Sequence, residues 1–390
     1  MFINTKLICA ALFLGAYAAA ATSAPYVPAD DGAVLERLPL RRTDPAAAEL
    51  RKLQAAAAAH PGDPAAAAAL ARRYFELAIA QGDPRYVGYA EGVLRSWRAA
   101  DAPAEVLFVR GLLKQYRHDF QGALRDLEGA LRRDAELIGA HSWRAAIFMV
   151  RADYPAAREE CRALEPIASE LIATGCRAAV DGTTGKAQAA YRDLTAALQR
   201  RADAAPEIRL WVLTRLAELA WRLEQPDAAE RHFREALALG LRDDFLLAAY
   251  ADFLLEQGRP KAVVELLAQW GQSDNLLLRL ALAARRLGLA EAQKHEQALG
   301  ERFAAAALRG ERLHLAEEAR FRLELKGDAK GALAAAAENW NSQREPRDAA
   351  VLLAAALAAG DPPAAAPGLR WLEESGFESA QLRRLAAQLK

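Results

Sequence analysis

A helix-turn-helix pattern recurs along this chain at intervals of about 34 residues, and this repetition limits the possible folds more than any other feature does. A small residue stands near the start of each second helix, at Ala90, Ala123, Ala157, Ala190, Ala229, Val263, Ala332 and Ala365. From Ala123 onward the gaps between these residues are 34, 33, 39, 34, 69 and 33. The gap of 69 fits two units and a few extra residues, since a degraded copy (LALAARRLGLAEAQKHEQAL) lies inside it. Such a chain stacks hairpins into an array, because one unit can bury its apolar face only against its neighbours.

The composition favours an array made only of helices. Roughly a quarter of the 390 residues are alanine, which costs least in a helix, whereas the strand-favouring Ile, Thr and Tyr are scarce. Basic and acidic side chains number 51 each. This balance argues against a dedicated binder of nucleic acid or of anionic membranes, because both need a basic excess.

Two units carry the pattern most fully. Their characteristic residues are Gly111, Tyr116, Phe120, Ala123 and Ala130 in one unit and Ala217, Ala229, Phe233 and Ala236 in the other. These positions resemble those of the tetratricopeptide repeat (TPR) family, whose unit is a helix-turn-helix of about 34 residues. The resemblance covers roughly residues 50–385 and weakens at both ends and around 275–310. It implies an all-α fold, a right-handed α-solenoid of about 8–9 stacked antiparallel helix hairpins.

The N-terminus predicts export. Lys6 precedes about fifteen apolar residues that end in the small residues Ala19–Ala21, the layout of a secretory signal peptide too short to span a bilayer. The chain is therefore divided into a signal peptide (1–21), a flexible, proline-rich lead-in (22–48) and the helical solenoid (49–390). We expect an exported bacterial member of the repeat family, periplasmic or secreted, with no integral membrane segment in the mature chain.

Cys161 and Cys176 remain after signal cleavage, and they flank a loop (Glu165–Glu170) predicted between two antiparallel helices. An even pair of cysteines in an exported chain permits one disulfide. Closing a loop of about 15 residues stabilises a fold by roughly 3 kcal/mol in the chain-entropy model. A pair of buried free thiols is the alternative, because cysteine also packs well in helical cores.

No motif predicts catalysis, a metal or a cofactor. The glycines of Gly182–Gln188 (GTTGKAQ) stand too close together for a phosphate loop, and a helix rather than a strand precedes them. A zinc-protease helix starting at His295 would have Leu299 in place of its second histidine. Adjacent acidic residues occur, but on a helix they point about 100° apart and do not face one substrate. An α/α-toroid enzyme acting on polysaccharides is an alternative, although the short loops leave little room for catalytic groups.

The resemblance implies a binding scaffold, since tetratricopeptide arrays hold protein or peptide segments on the concave wall formed by the first helix of each unit. Counting from the small-residue register, we expect the following side chains on that wall: Trp211, Arg215, Glu218, Trp221, Arg222, Asp252, Glu256, Arg279, Arg285 and Arg286. Trp and Arg often dominate interface energies, although both tryptophans are also suited to packing between helices. The expected function is a non-enzymatic scaffold or adaptor of the cell envelope that binds a protein or peptide partner. A chaperone-like module that sequesters an unfolded client is the alternative.

Overall fold

The computed structural model describes residues 45–81, 83–97, 102–312 and 314–389. The predicted signal peptide (1–21) and nearly all of the predicted lead-in (22–48) lie outside the described residues. Residues 49–390 form one compact unit. The first described helix starts slightly earlier, at Pro45, because proline is well tolerated in the first turn of a helix. Residues 45–48 are therefore helical rather than part of a flexible lead-in.

Twenty α-helices lie within the described residues. The first ten are α1 (Pro45–Ala59), α2 (Pro64–Gln81), α3 (Arg85–Val93), α4 (Ala104–Tyr116), α5 (Phe120–Leu131), α6 (Ile138–Val150), α7 (Tyr154–Leu164), α8 (Glu170–Thr183), α9 (Ala187–Arg200) and α10 (Pro206–Arg222). The others are α11 (Pro226–Ala238), α12 (Asp244–Glu256), α13 (Pro260–Leu267), α14 (Asp274–Arg286), α15 (Glu291–Leu308), α16 (Leu315–Phe321), α17 (Ala329–Trp340), α18 (Pro346–Ala359), α19 (Ala366–Ser375) and α20 (Ala380–Gln388). A π-helical turn (Arg322–Lys326) continues α16, and a 3₁₀ turn (Pro362–Ala365) leads into α19.

From α2 to α19 the helices pack as nine successive hairpins, and α20 packs on the last of them. The first helix of each hairpin also contacts the first helix of the next, so the first helices form a continuous inner layer. The degraded stretch around 275–310 forms a hairpin of α14 and α15 like the others. The all-α solenoid predicted from the repeat is thereby confirmed. None of the described helices is both long enough and apolar enough to cross a membrane.

The small residues that define the repeat lie in the core of the hairpins. All eight expose at most 4% of their surface. Close packing explains the choice of residue, since a side chain at Gly111 would meet the side chain of Leu127 at 2.7 Å. The aromatic residues of the pattern fill the remaining space, and Phe120 and Phe233 are both buried. Burying one such ring stabilises a fold by about 1.5–3 kcal/mol.

The turns inside several hairpins share one local design. A residue in the left-handed conformation ends the first helix, and an aspartate then caps the second. His118 (φ 59°) precedes Asp119, whose carboxylate accepts a hydrogen bond from the backbone N–H of Gly122 at 2.9 Å. Ala152 (φ 59°) precedes Asp153 in the same way. Left-handed φ values are uncommon outside glycine, so other contacts must hold these two turns.

The last helices of the array supply such contacts by folding back onto the turns of earlier hairpins. The indole N–H of Trp371 on α19 donates to the hydroxyl of Tyr154 at 2.7 Å, although 217 residues separate them. The carboxylate of Glu378 accepts from the backbone N–H of Ala187 at 2.6 Å across 191 residues. We call the contacts of α17–α20 with these turns the C-terminal seam.

The seam also includes the two turns with left-handed residues. The backbone N–H of Arg344 donates to the carbonyl of Val150 at 2.7 Å, and Ala152 packs against the apolar core of the C-terminal helices. The side-chain amide of Gln343 lies 3.4 Å from Nδ1 of His118. Burial lowers the pKa of His118 to about 4, so this imidazole is neutral near pH 7.

Cys161 on α7 and Cys176 on α8 form a disulfide in the structure, with their Cα atoms 5.4 Å apart. The loop that joins the two helices lies midway between them in sequence, which places both side chains at matching heights. The bond links the second helix of one hairpin to the first helix of the next. Its formation in the protein's own compartment stays a prediction.

Candidate binding site on the inner wall

An open cavity of about 300 Å³ lies on the inner layer between α10 and α12. It is lined by Glu207, Leu210, Trp211, Thr214, Arg215, Leu241, Arg242, Asp243 and Phe245. Two of the wall residues expected from the sequence, Trp211 and Arg215, therefore meet in one cavity. Glu218, one turn further along α10, pairs with Arg215 at 2.9 Å and belongs to the same group. We call this space the Trp211 cavity.

Arg215 is held at the cavity by an aromatic neighbour. Its guanidinium lies 4.4 Å from the centroid of the Phe245 ring, a cation–π arrangement that fixes the group over the ring face. Its Nε is buried and has no hydrogen-bond partner among the described residues. The side chain as a whole is 30% exposed, so the guanidinium still has donors available for an acceptor that enters the cavity.

Trp211 joins the inner helices of two hairpins. Its ring lies against Gly175 of α8, where an added side chain would overlap the indole. Glycine at position 175 therefore provides the space in which the ring sits. Because part of the indole still faces the Trp211 cavity, it offers an apolar surface next to a cation.

The charges around the Trp211 cavity balance. Glu207 and Asp243 carry the negative charges, and Arg215 and Arg242 carry the positive ones. Asp243 is occupied as the N-cap of α12, where it accepts from the backbone N–H of Leu246. Arg215 is paired with Glu218, and the Arg242 guanidinium lies 4.7 Å from the centroid of the Trp270 ring, so the cavity offers charges of both signs to a bound segment.

A second group of the expected wall residues forms ion pairs and hydrogen bonds with other residues of the same chain. Asp252 accepts from Arg279 and from Arg320 of α16, both at 2.6 Å. Burial alone raises the pKa of the Asp252 carboxyl, but the two positive charges outweigh it and the pKa is lowered. The carboxylate is therefore ionised, and its hydrogen-bonding capacity is directed at residues of the same chain.

Trp221, Arg222 and Glu256 also have internal partners. The indole N–H of Trp221 donates to Glu256, whose pKa is raised by burial. Arg222 donates to the carbonyl of Gly182 at 3.0 Å, and its guanidinium lies 4.7 Å from the Phe377 ring of the C-terminal seam. Burial lowers the pKa of Arg222. Arg222 therefore joins the inner layer to the C-terminal part of the chain, whereas Trp221 and Glu256 join α10 to α12.

The remaining two arginines secure the end of α14. Arg285 donates to the carbonyl of Leu325 in the π-helical turn. Arg286 donates to the carbonyl of Leu255 at 2.7 Å and lies 3.8 Å from a carboxylate oxygen of Glu324. The structure thus divides the expected wall into a cavity group, formed by Trp211, Arg215 and Glu218, and an internal group.

Sequence reasoning missed Phe245 and Arg242 as cavity residues. A signal was present for Phe245, which stands one repeat length after Trp211 and so occupies the equivalent position in the next unit. Arg279 follows Phe245 after one further repeat length, and there the same register position holds a buried ion pair. Register alone locates the inner layer, but it does not tell which positions stay open.

Comparison with known proteins found no matching family model and no matching curated protein. Among solved structures, a chain of the APC/C hetero-tetramer Cut9-Hcn1 is similar at 13% identity, over 83% of this chain and 62% of that chain, with a TM-score of 0.49. The P58(IPK) TPR domain matches at 15% identity over 88% of this chain and 92% of that chain, with a TM-score of 0.23. Yeast Tom70 matches at 12% identity over 88% and 91%, with a TM-score of 0.31. This chain spans less than two thirds of the Cut9-Hcn1 chain, and at these scores the likeness says nothing about function. The fold is established by the helices described above.

Proposed function

We propose that this protein is a non-enzymatic scaffold that binds a protein or peptide segment at the Trp211 cavity. The observation that carries the proposal is an open cavity on the inner layer in which an indole and a guanidinium lie side by side. Such cavities recur at protein interfaces, because an aromatic face binds apolar side chains while arginine pairs with carboxylates. The resemblance to tetratricopeptide arrays supports the same surface.

A segment that carries a carboxylate next to an apolar side chain fits the Trp211 cavity best. The carboxylate pairs with Arg215 and the apolar group packs on Trp211 and Phe245. Because Glu207 lies on the same rim, the segment gains from a basic side chain as well. Binding through such a mixed patch should weaken as salt is added, without vanishing, since screening affects the charges and leaves the apolar contact intact.

Replacing Arg215 with alanine is expected to weaken partner binding by about 1–3 kcal/mol if this arginine anchors the interface. The fold should be little affected, because the side chain is partly exposed and its partner Glu218 can be solvated. The measurement uses the wild type and the variant as baits for an envelope extract, followed by calorimetry with the partner that only the wild type retains.

Arg231→Ala is the matched control, because Arg231 is an exposed arginine on α11, the second helix of the same hairpin. It should retain the partner with unchanged affinity. A partner bound equally by all three proteins contradicts the Trp211 cavity as its site. Capture of a broad set of unfolded proteins, unaffected by Arg215→Ala, favours the chaperone-like alternative instead.

The envelope location rests on the N-terminal pattern and on the cysteine pair. Edman sequencing of protein recovered from the periplasm or the medium should start between residues 19 and 25, because the small residues that suit cleavage lie there. Recovery of intact Met1 on cytosolic protein would overturn the export proposal.

A further inference from the structure

A second, larger cavity of about 460 Å³ lies within the C-terminal seam. One wall is formed by Ala152 and Tyr154 at the turn between α6 and α7, and the other by residues of α17 to α19. We call it the seam cavity. Its volume is typical of sites for small ligands or for one or two peptide side chains. It shares no lining residue with the Trp211 cavity.

The floor of the seam cavity is aromatic. The rings of Trp340 and Trp371 meet edge to face, with centroids 6.0 Å apart and an interplanar angle of 83°. Both side chains are almost fully buried, and the indole N–H of Trp371 is taken up by the hydroxyl of Tyr154. Burial raises the pKa of Tyr154 to about 12, so the hydroxyl stays protonated and the floor stays uncharged.

The rim of the seam cavity carries two arginines. Arg344 is held by two main-chain carbonyls. Its backbone N–H donates to the carbonyl of Val150, and its side-chain Nε donates to the carbonyl of Trp340 at 3.2 Å. Its terminal nitrogen atoms, and the guanidinium of the exposed Arg370, have no ion-pair partner among the residues that the structure describes. Glu374 is the only carboxylate among the lining residues, so the rim has one excess positive charge.

We propose that the seam cavity binds the C-terminal end of a peptide whose last side chain is large and apolar. The terminal carboxylate has two oxygens, which accept hydrogen bonds from the arginine side chains on the rim. The apolar side chain packs on Trp340 and Trp371. Glu374 accepts a hydrogen bond from a backbone N–H of the bound peptide. A small free anion has no such donor. The ligand contacts both walls of the seam, so it also stabilises the folded-back C-terminal helices.

The test uses an acetylated pentapeptide that ends in phenylalanine with a free carboxylate, and the same peptide with an amidated end. Titrations of the full chain, followed by tryptophan fluorescence and calorimetry, should show that the amide binds at least about tenfold more weakly. Arg344→Gln and Arg370→Gln should each weaken binding of the free acid by about tenfold or more and leave the amide unaffected.

The control for general loss of positive charge is Arg383→Gln. This variant removes an exposed arginine of α20 that lines neither cavity, so it should bind the free acid like the wild type. Circular dichroism confirms that each variant is folded, and Arg370 is exposed enough for its replacement to be tolerated. Equal affinity for the acid and the amide overturns the proposal. So does the absence of binding of the acid at about 1 mM, where even a weak specific site is half filled.

Discussion

Replacing Asp252 with alanine is expected to lower the free energy of unfolding by about 3–5 kcal/mol, because two buried guanidinium groups lose their shared carboxylate. Arg279 exposes 6% of its side chain and Arg320 exposes 18%. The three residues lie on α12, α14 and α16, the inner helices of three successive hairpins. Chemical denaturation followed by circular dichroism measures the loss.

The control for this prediction is Glu311→Ala. Glu311 also pairs with an arginine, Arg309, at 2.8 Å, but the two side chains are 45% and 57% exposed. Its loss should cost less than about 1 kcal/mol, as is usual for surface ion pairs. If Asp252→Ala lowers the free energy of unfolding by an equally small amount, its carboxylate is solvated and the ion pairs with Arg279 and Arg320 are not buried.

The pH dependence gives an independent check on Asp252. Its pKa in the folded protein lies below the ordinary value of 3.8. The stabilisation is therefore fully present above pH 4 and is lost only as the pH falls through the lowered pKa. The difference in stability between the wild type and Asp252→Ala should shrink in acid and stay constant between pH 5 and pH 8.

Reduction of the disulfide between Cys161 and Cys176 is expected to cost about 3 kcal/mol, because the bond closes a loop of 15 residues in the unfolded chain. Both cysteines are buried, so the effect appears once a reductant is present during unfolding. Denaturation curves of the exported protein with and without reductant measure it. The double variant with alanine at both positions should show no response to reductant.

Thiol counting decides whether the bond exists in the native protein. Denatured, non-reduced protein purified from an oxidising compartment should show no free thiol from Cys161 or Cys176. Two free thiols would contradict the bond and favour the alternative of two buried cysteines.

The hairpins are predictable from the sequence because their causes are local. A small residue must stand where two helices approach, as Gly111 and Ala123 do, and an aromatic residue such as Phe233 must fill the space beside it. These requirements repeat with every unit, so the period shows them even in a single sequence. The spacing of Cys161 and Cys176 about one short loop is equally local.

The C-terminal seam could not be predicted in this way. The bond between Trp371 and Tyr154 joins residues 217 positions apart, and no periodic pattern relates them. The C-terminal seam exists because a small rotation between neighbouring hairpins accumulates along the array. For this reason Arg222 and Asp252, assigned to an open wall, are bound to Phe377 and Arg320 of later helices, whereas Trp211 and Arg215 line a cavity.

The distance between the turn at Lys186 and the helix α19 tests the folded-back arrangement most directly. Cysteines are introduced at Lys186 and Glu373, which are both exposed, and are modified with nitroxide labels. The labels react only with these two cysteines if Cys161 and Cys176 are oxidised to the disulfide. The backbones of Gly185 and Gly376 are in contact. Lys186 is one residue from Gly185 and Glu373 is three residues from Gly376, and consecutive Cα atoms are about 3.8 Å apart. Pulsed electron paramagnetic resonance should therefore give one narrow distance between the labels, below about 30 Å. Four hairpins lie between the two that carry the labels, so the labels are five hairpin steps apart. An array that does not fold back, at about 10 Å or more per step, would hold the labels beyond about 50 Å. A narrow short distance supports the C-terminal seam, and a broad distribution at the longer distance contradicts it.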